Sequence, residues 1–371
     1  MRSTEYNRLF FYLFVFLLTL SCGKKMVVWQ RIIDRGANEE AVDLLSDGER
    51  LIVVGNQDGK GLVEFIDRDG NFLRRQVFSE GKMTSFRGAG LDLKGNLFLC
   101  GSVQKNDTSL CLVVKNDLVG RTVWKKGLAL GKGSWANGIC LIDTNIVICG
   151  GVETEKGAEV LVALLNPTGK TLWSRNYSQG EWAEGTKVAL APNRTIILLG
   201  KRRDAKNGDI FLLSLKPNGD TIWYRVYDSG GEDTPGDLTV DQFGNIVAVG
   251  TAQISDSVRC VLLEYTLDGG VVRKVAYGNN AQAEGKGICL GDKGEIIVCG
   301  TLRTPKGGAL LVFEYLPNAI SVWERQQHIG KDVSGTAVIF AQDVFVAANV
   351  TSKSGPGGKD IALTRFAWNK K

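Results

Sequence analysis

A glycine returns along this chain at a nearly fixed interval. Gly55, Gly101, Gly150, Gly200, Gly250 and Gly300 are separated by 46, 49, 50, 50 and 50 residues, and Ala347 or Asn349 stands where a seventh would fall. The surrounding sequence recurs with it, most clearly in residues 216–250, KPNGDTIWYRVYDSGGEDTPGDLTVDQFGNIVAVG. A period of this size makes each unit a supersecondary piece that cannot bury its apolar face alone and must stack on its neighbours. The expectation that a chain of 371 residues divides into two or three domains gives way to one continuous array.

Within the unit, four short apolar runs are separated by turn residues; in the sample 185–250 they are 187–190, 195–199, 210–215 and 221–227. Each is rich in Val, Ile, Leu and aromatics, as strands are, and no helical pattern of a dozen residues interrupts them. The class is all-β. Four strands repeated seven times predict a seven-bladed β-propeller of four-stranded antiparallel blades; a β-helix has shorter rungs and a sandwich would not repeat. With the strands called A to D in order, residues 27–33, VVWQRII, read as a D strand before any A strand, and 361–368, IALTRFAW, as a C strand with no D after it. The N-terminal strand is therefore expected to complete the last blade, which closes the ring and removes its exposed edges. Such a ring is expected to be monomeric.

Strand D carries one aromatic column. Trp29, Trp124, Trp173, Trp223 and Trp323 share a position that Arg74 and Arg273 fill in the other two blades, and Arg31, Lys126, Arg175, Arg225 and Arg325 follow two residues later. A large ring repeated at equivalent sites is expected to pack between blades, with the cation on the same face beside or over a ring.

The repeat pattern GxxxW, an aromatic, a Gly/Asn-rich loop and D-x-x-GN-I-V-x-VG resembles the bacterial seven-bladed β-propeller repeat family, over essentially residues 27–368. The resemblance implies an exported or surface protein. Thr168-Gly169-Lys170-Thr171-Leu172-Trp173 is similar to the TGxxxW segment of quinoprotein-type repeats, whose rings generally have eight blades and bind quinone with calcium. The sialidase Asp-box does not fit, because it needs three steps from Gly to Trp and Gly219 to Trp223 is four.

The start of the chain reads as an export signal. Arg2 and Arg8 precede or flank an apolar run at 9–20, which is too short for a spanning helix that needs about 20 residues. Leu18-Thr19-Leu20-Ser21-Cys22 resembles the bacterial lipoprotein box. That resemblance implies cleavage after residue 21, acyl chains on Cys22, a tether at 22–26 and a propeller domain at 27–371, anchored in the cell envelope. Net charge is near balance at +5 and no basic tract is interleaved with aromatics, so no nucleic-acid partner is expected. Beyond Cys22, seven cysteines fall at repeat positions where other blades carry valine or leucine, as small buried apolar groups. Pairing of Cys140 with Cys149 and of Cys289 with Cys299 across a hairpin remains open.

Antiparallel succession puts the A–B and C–D turns on one side of the ring and the B–C and D–A loops on the other. The first set is tight; the second is longer and varied, so the long-loop side is the candidate binding face. It is expected to show Phe86, Trp135, Trp182, Arg202, Arg203, Glu232 and Asp233, with Trp135 and Trp182 either capping blades or forming an aromatic platform. Glu232, Asp233 and Asp237 could hold calcium or simply form a solvated acidic turn. Gly88, Gly138 and Gly287 lie in strand A, where blades crowd the axis. His328 is the single histidine, and no GxSxG, HExxH, P-loop or CxxC motif occurs. The expectation is a non-catalytic, lipid-anchored module that binds an envelope protein or a glycan. The rivals are an enzyme at the central channel (a hydrolase, lyase or degenerate quinoprotein dehydrogenase) and a structural surface component.

Overall fold

The computed structural model describes residues 26–278, 282–305, 307–316, 319–330, 332–351 and 358–368. The expected signal peptide at 1–21, Cys22 and residues 354–357 of the glycine-rich loop lie outside the described residues.

All described regular structure is β. The chain opens with β1 (Val27–Ile33). Blade 1 is β2 (Glu39–Ser46), β3 (Arg50–Gln57), β4 (Lys60–Asp67) and β5 (Phe72–Phe78). Blade 2 is β6 (Met83–Leu91), β7 (Leu97–Lys105), β8 (Thr108–Asn116) and β9 (Thr122–Leu128). Blade 3 is β10 (Ser134–Ile142), β11 (Asn145–Thr154), β12 (Gly157–Leu165) and β13 (Thr171–Tyr177). Blade 4 is β14 (Trp182–Leu190), β15 (Ile196–Arg203), β16 (Gly208–Leu215) and β17 (Thr221–Tyr227). Blade 5 is β18 (Asp233–Val240), β19 (Ile246–Ile254), β20 (Ser257–Tyr265) and β21 (Val271–Tyr277). Blade 6 is β22 (Gln282–Leu290), β23 (Ile296–Thr304), β24 (Gly307–Leu316) and β25 (Ala319–Gln327). Blade 7 is β26 (Val333–Ala341), β27 (Asp343–Thr351) and β28 (Lys359–Phe366), and β1 pairs antiparallel with β28 to complete it. The protein is thus a seven-bladed β-propeller closed by its N-terminal strand. One parallel bridge, Ala158 to Trp182, joins the sheets of blades 3 and 4.

The core is divided as the repeat demands. Among the described residues, seven apolar clusters each sit between two adjacent blades. The cluster between blades 7 and 1 joins Ile33 of the first strand to Leu51, Phe345, Ile361 and Leu363, so the ring closes on the same kind of contact that builds it. Burying one such side chain contributes about 1.5–3 kcal/mol, and no blade could collect that gain alone.

The recurring glycine has a steric cause. Each A strand bulges near its middle, and the bulge presses a backbone carbonyl against the facing glycine of strand B. A Cβ on Gly101 would lie 1.9 Å from the Ser85 carbonyl oxygen, and one on Gly300 1.8 Å from that of Glu284. In blade 7 the register assigns the position to Ala348, facing Gly335, rather than to Ala347 or Asn349. The A–B turn there is shortened to Gln342 alone, which shifts the count. The residue after the glycine position ties blades together: Asn349 exchanges hydrogen bonds with the Ala41 backbone, and Asn56 with that of Phe86.

The strand-D tryptophans bridge blades. Trp29, Trp124, Trp173 and Trp223 each donate from Nε1 to a carbonyl in the C–D turn of the next blade, at Arg68, Pro167, Pro217 and Leu267. Trp323 packs edge-on against Phe366 and Trp368 of blade 7. Lys126 and Arg225 lie over the rings of Trp124 and Trp223, at 5.9 and 5.8 Å. Gly219 shows why the turn needs glycine: its φ is +88°, and a Cβ there would meet Arg175 and Trp173 of the preceding blade.

Candidate functional site

The innermost strands hold the charged groups that distinguish one blade from another. At the bulge, the seven A strands present Asp43, Gly88, Gly138, Lys187, Asp237, Gly287 and Ala337, each opposite the residue before the glycine position. All of these but Gly287 line an axial cavity of about 250 Å³, to which that blade contributes Ile288 instead. Lys187 Nζ stands 3.5 Å from Asp43 Oδ2 and 3.9 Å from Asp237 Oδ1. The carboxylates are engaged on their other sides as well. Asp43 accepts the backbone N–H groups of Leu44 and of Ala89 in blade 2, and Asp237 those of Leu238 and of Ile288 in blade 6.

Burial pulls the Lys187 pKa down, yet Asp43 and Asp237 together outweigh it and hold the ammonium above the ordinary lysine range. Burial raises the Asp237 carboxyl, with Lys187 opposing. Lys187 is therefore a fixed cation at neutral pH, suited to stapling blades 1, 4 and 5 and unsuited to act as a free amine. Towards the tight turns the cavity wall becomes Thr239, Cys289, Leu290 and Ile339. All seven described cysteines are free thiols, so neither Cys140–Cys149 nor Cys289–Cys299 forms a disulfide, and burial pushes the Cys140 thiol up to about 12.

The early part of each A strand forms the mouth of the channel on the side expected to carry the long loops. The structure corrects that expectation: strands B and C run beyond their apolar cores and leave two-residue B–C turns at 58–59, 106–107, 155–156 and 255–256, so the name long-loop side marks only the side of the B–C and D–A connections. Trp135 Nε1 donates to Glu184 Oε2 at 2.6 Å. Asn137 Nδ2 donates to the same oxygen at 3.0 Å and to the Gly185 carbonyl at 2.8 Å, and Arg87 donates to Asn137 Oδ1 at 2.9 Å. Blades 2, 3 and 4 thereby share one polar network. Across the mouth, Glu284 is held by Lys286 and Arg303, and Arg303 also reaches Asp332.

The sequence-based candidates separate into three groups. Phe86 is not on the surface: it is fully buried in β6 and packs edge-on against Phe78 at 5.0 Å. The A strands begin earlier than the apolar pattern suggested, because the bulge breaks the alternation, so Phe86, Trp135 and Trp182 lie in strands rather than loops. Trp135 and Trp182 occupy different register positions, Trp135 matching Glu184. Trp182 is half-buried where β14 starts. Arg202 pairs with Asp204 and Asp209, and exposed Arg203 pairs with Glu232. Glu232 also accepts from Lys201 and from the Gly208 N–H, and the Lys201 hydrogen bond leads in bringing its pKa down to about 2. Asp233 is fully buried, so it does not belong to an open face. The calcium set Glu232, Asp233 and Asp237 is not assembled, because Asp237 lies on the axis beside Lys187.

Asp43, Lys187 and Glu184 were missed by the sequence reading. The signal was present: Gly88, Gly138 and Gly287 had been assigned to strand A near the axis, and the same column in the other blades reads Asp43, Lys187 and Asp237.

No family model matches the chain, and no curated protein sequence matches it. Its fold is similar to the WD40 domain of Toxoplasma gondii coronin, with a TM-score of 0.56 and 10% identity over 92% of this chain and 87% of that one. It is also similar to the periplasmic gluconolactonase of Pseudomonas aeruginosa, with a TM-score of 0.57 and 13% identity over 86% and 99%. The propeller domain of the trilobed protease of Pyrococcus furiosus gives 0.50 and 12% over 91% and 96%. The likeness extends to the fold alone: the chain is a β-propeller, and a fold by itself does not fix a function.

Proposed function

We propose that the chain is a lipid-anchored envelope propeller that serves as a non-catalytic binding module, engaging an envelope protein through its long-loop face. The observation that carries the reading is where the N-terminus emerges. Val27 pairs with Phe366 at the end of β28, and Phe366 in turn pairs with Val344 beside the A–B turn. The chain therefore enters the ring on the tight-turn side. Acyl chains on Cys22 would set that side towards the membrane and turn the mouth around Trp135, Glu184 and Arg203 away from it. Mixed charge and half-buried aromatic groups at such a mouth suit a protein surface of complementary charge.

At the axis, Asp43 and Asp237 each hold Lys187 and a neighbouring blade's backbone, which supports a structural use of the channel's charges. The rival reading, a hydrolase or lyase at the channel, rests on the cavity beside those two carboxylates, and gluconolactone hydrolysis is a direct assay for it. A glycan partner or a structural surface role are the remaining alternatives.

The test is crosslinking in the native envelope, followed by purification on a C-terminal tag and mass spectrometry. The expected result is one stoichiometric protein partner, lost when Arg203→Glu and Trp135→Ala are combined. Recovery of the propeller alone, where a known envelope complex is captured in parallel, contradicts the reading; turnover of a lactone would instead establish the rival.

A further inference from the structure

Three carboxylates from separate segments converge between blades 4 and 5 on the long-loop side: Asp209 in β16, Asp228 just after β17 and Asp233 at the start of β18. One oxygen from each lies within 4.8 Å of the others. Asp209 is 2% exposed and Asp233 0%, whereas Asp228 is exposed. Unit charges this close repel strongly when partly desolvated. Burial leads in raising the carboxyl pKa of Asp209 and of Asp233, the latter to about 6, with Asp228 adding to both shifts.

Nearby groups only partly answer this charge. Arg202 Nε stands 3.0 Å from Asp209 Oδ2, but its guanidinium is shared with Asp204. Lys201 and Arg203 are committed to Glu232. Ser229 donates to Asp233 from its N–H and its hydroxyl, at 2.8 and 2.6 Å. Asp209 Oδ1 remains buried with no hydrogen-bond partner. An orphaned carboxylate oxygen in the interior is costly unless something outside the protein satisfies it. The interface between blades 7 and 1 places Asp360 and Glu39 at the same two register positions. There the Arg75 guanidinium stands 3.6 Å from Glu39, although Glu39 and Asp360 also keep buried oxygens without hydrogen-bond partners. The third carboxylate, from Asp228, is what sets blades 4 and 5 apart. Asp228 also lines an open cleft of about 800 Å³, which gives ions and water a path to the cluster.

We propose that Asp209, Asp228 and Asp233 form a divalent-cation site of the calcium class between blades 4 and 5. The donors are all hard oxygens from three separate segments, and the cleft can supply water for the remaining positions, as calcium's flexible coordination allows. A bound cation would satisfy Asp209 Oδ1, relieve the repulsion and fix the D–A loop at 228–233 beside Arg203. The site is independent of the binding reading above.

The test uses the purified full-length protein and Tb³⁺ as probe. Tyr227, at the end of β17, is near enough to Asp233 and Asp228 for their charges to act on its phenol, and it serves as the excitation donor. Excitation of tyrosine is expected to give saturable Tb³⁺ emission at one equivalent, displaced by Ca²⁺ and much less readily by Mg²⁺. Asp228→Asn, which removes one of the repelling charges and should not lower the melting temperature in EDTA, should weaken Tb³⁺ binding at least about tenfold, because affinity follows ligand charge. Asp233→Asn should do the same from a buried position. Absent emission, or emission undiminished in both variants, overturns the assignment.

Discussion

The two ends of the ring solve the same problem differently. At the tight-turn end one device is copied from blade to blade. Asp67, Asp92, Asp117, Asn166 and Asp241 each accept, on a single side-chain oxygen, the backbone N–H groups two and four residues ahead. These turns satisfy themselves. The long-loop end is less uniform: Trp135 with Glu184, and Asp209 with Asp228 and Asp233, are individual among the described residues, whereas Arg203, Glu232 and the Gly208 N–H between blades 4 and 5 recur only as Arg303, Asp332 and the Gly308 N–H between blades 6 and 7. What the repeats share keeps the ring together, and what they do not share gives one face an identity. The axis shows both in one column, with Gly88, Gly138 and Gly287 repeated and Asp43, Lys187 and Asp237 individual.

The contrast breaks most completely if the ring is opened. Deleting residues 27–33 while keeping the leader and Cys22 removes β1 and bares the edge of β28. Light scattering should then report aggregation and calorimetry the loss of a single cooperative transition. A monomeric deletion variant with an unchanged Tm would sink the closure argument.

Next in size is the axial staple. Lys187→Met leaves Asp43 and Asp237 facing one another without their cation, at a cost of about 2 kcal/mol near neutral pH for these partly exposed groups. The loss should shrink on acidification as the Asp237 carboxyl, raised by burial, protonates. Adding Asp43→Asn and Asp237→Asn should recover most of it, and a triple variant no more stable than the single one in urea unfolding would show that the three do not act together.

A single copied turn matters less. Asp92→Ala removes three hydrogen bonds, from the Lys94 and Asn96 N–H groups and the Asn96 side chain, at one of several equivalent turns and should cost about 1 kcal/mol without changing partner capture. Equal damage to capture would mean that the tight-turn end also takes part in binding.

The last comparison turns on sign rather than size. The backbone N–H of Asn71 leads in holding Asp67 below the ordinary carboxylate range, so that turn's contribution is present above pH 4 and lost as pH falls below it. Asp233 is raised to about 6, chiefly by burial, so its contribution is full below pH 4 and lost as pH rises through 6. In EDTA, Asp233→Asn should therefore melt higher than the parent at pH 8, with the gap closing by pH 4. A constant gap would mean that Asp233 does not titrate in this window.

The legible part of the molecule was the repeated part. The period, the D-strand tryptophans and the closing N-terminal strand are all visible as residues that recur, because each blade meets the same neighbours in the same way. Strand D at 221–227 was read with the bounds it has. Strand A was read as 187–190 and runs from Trp182 to Leu190, since the bulge between Gly185 and Lys187 interrupts the two-residue alternation that marks a strand. That error moved Phe86 and Trp135 into loops. The acidic cluster was out of reach for another reason. Its members come from a C strand, the loop after a D strand and the next A strand, and only the packing of blade 5 on blade 4 brings them together. Sequence adjacency suggested Glu232, Asp233 and Asp237, yet the bulge between Pro235 and Asp237 breaks the alternation and carries Asp237 along the strand to the axis beside Lys187, away from the other two.

The most direct test of the account compares its two ends in one experiment. A photo-crosslinking residue is placed at Arg203 on the long-loop side or at Phe243, which is 79% exposed in an A–B turn, and both proteins are irradiated in the native envelope. The account predicts a discrete protein adduct from position 203 and none from position 243. An adduct from 243 with none from 203 would contradict it and reverse the orientation of the ring.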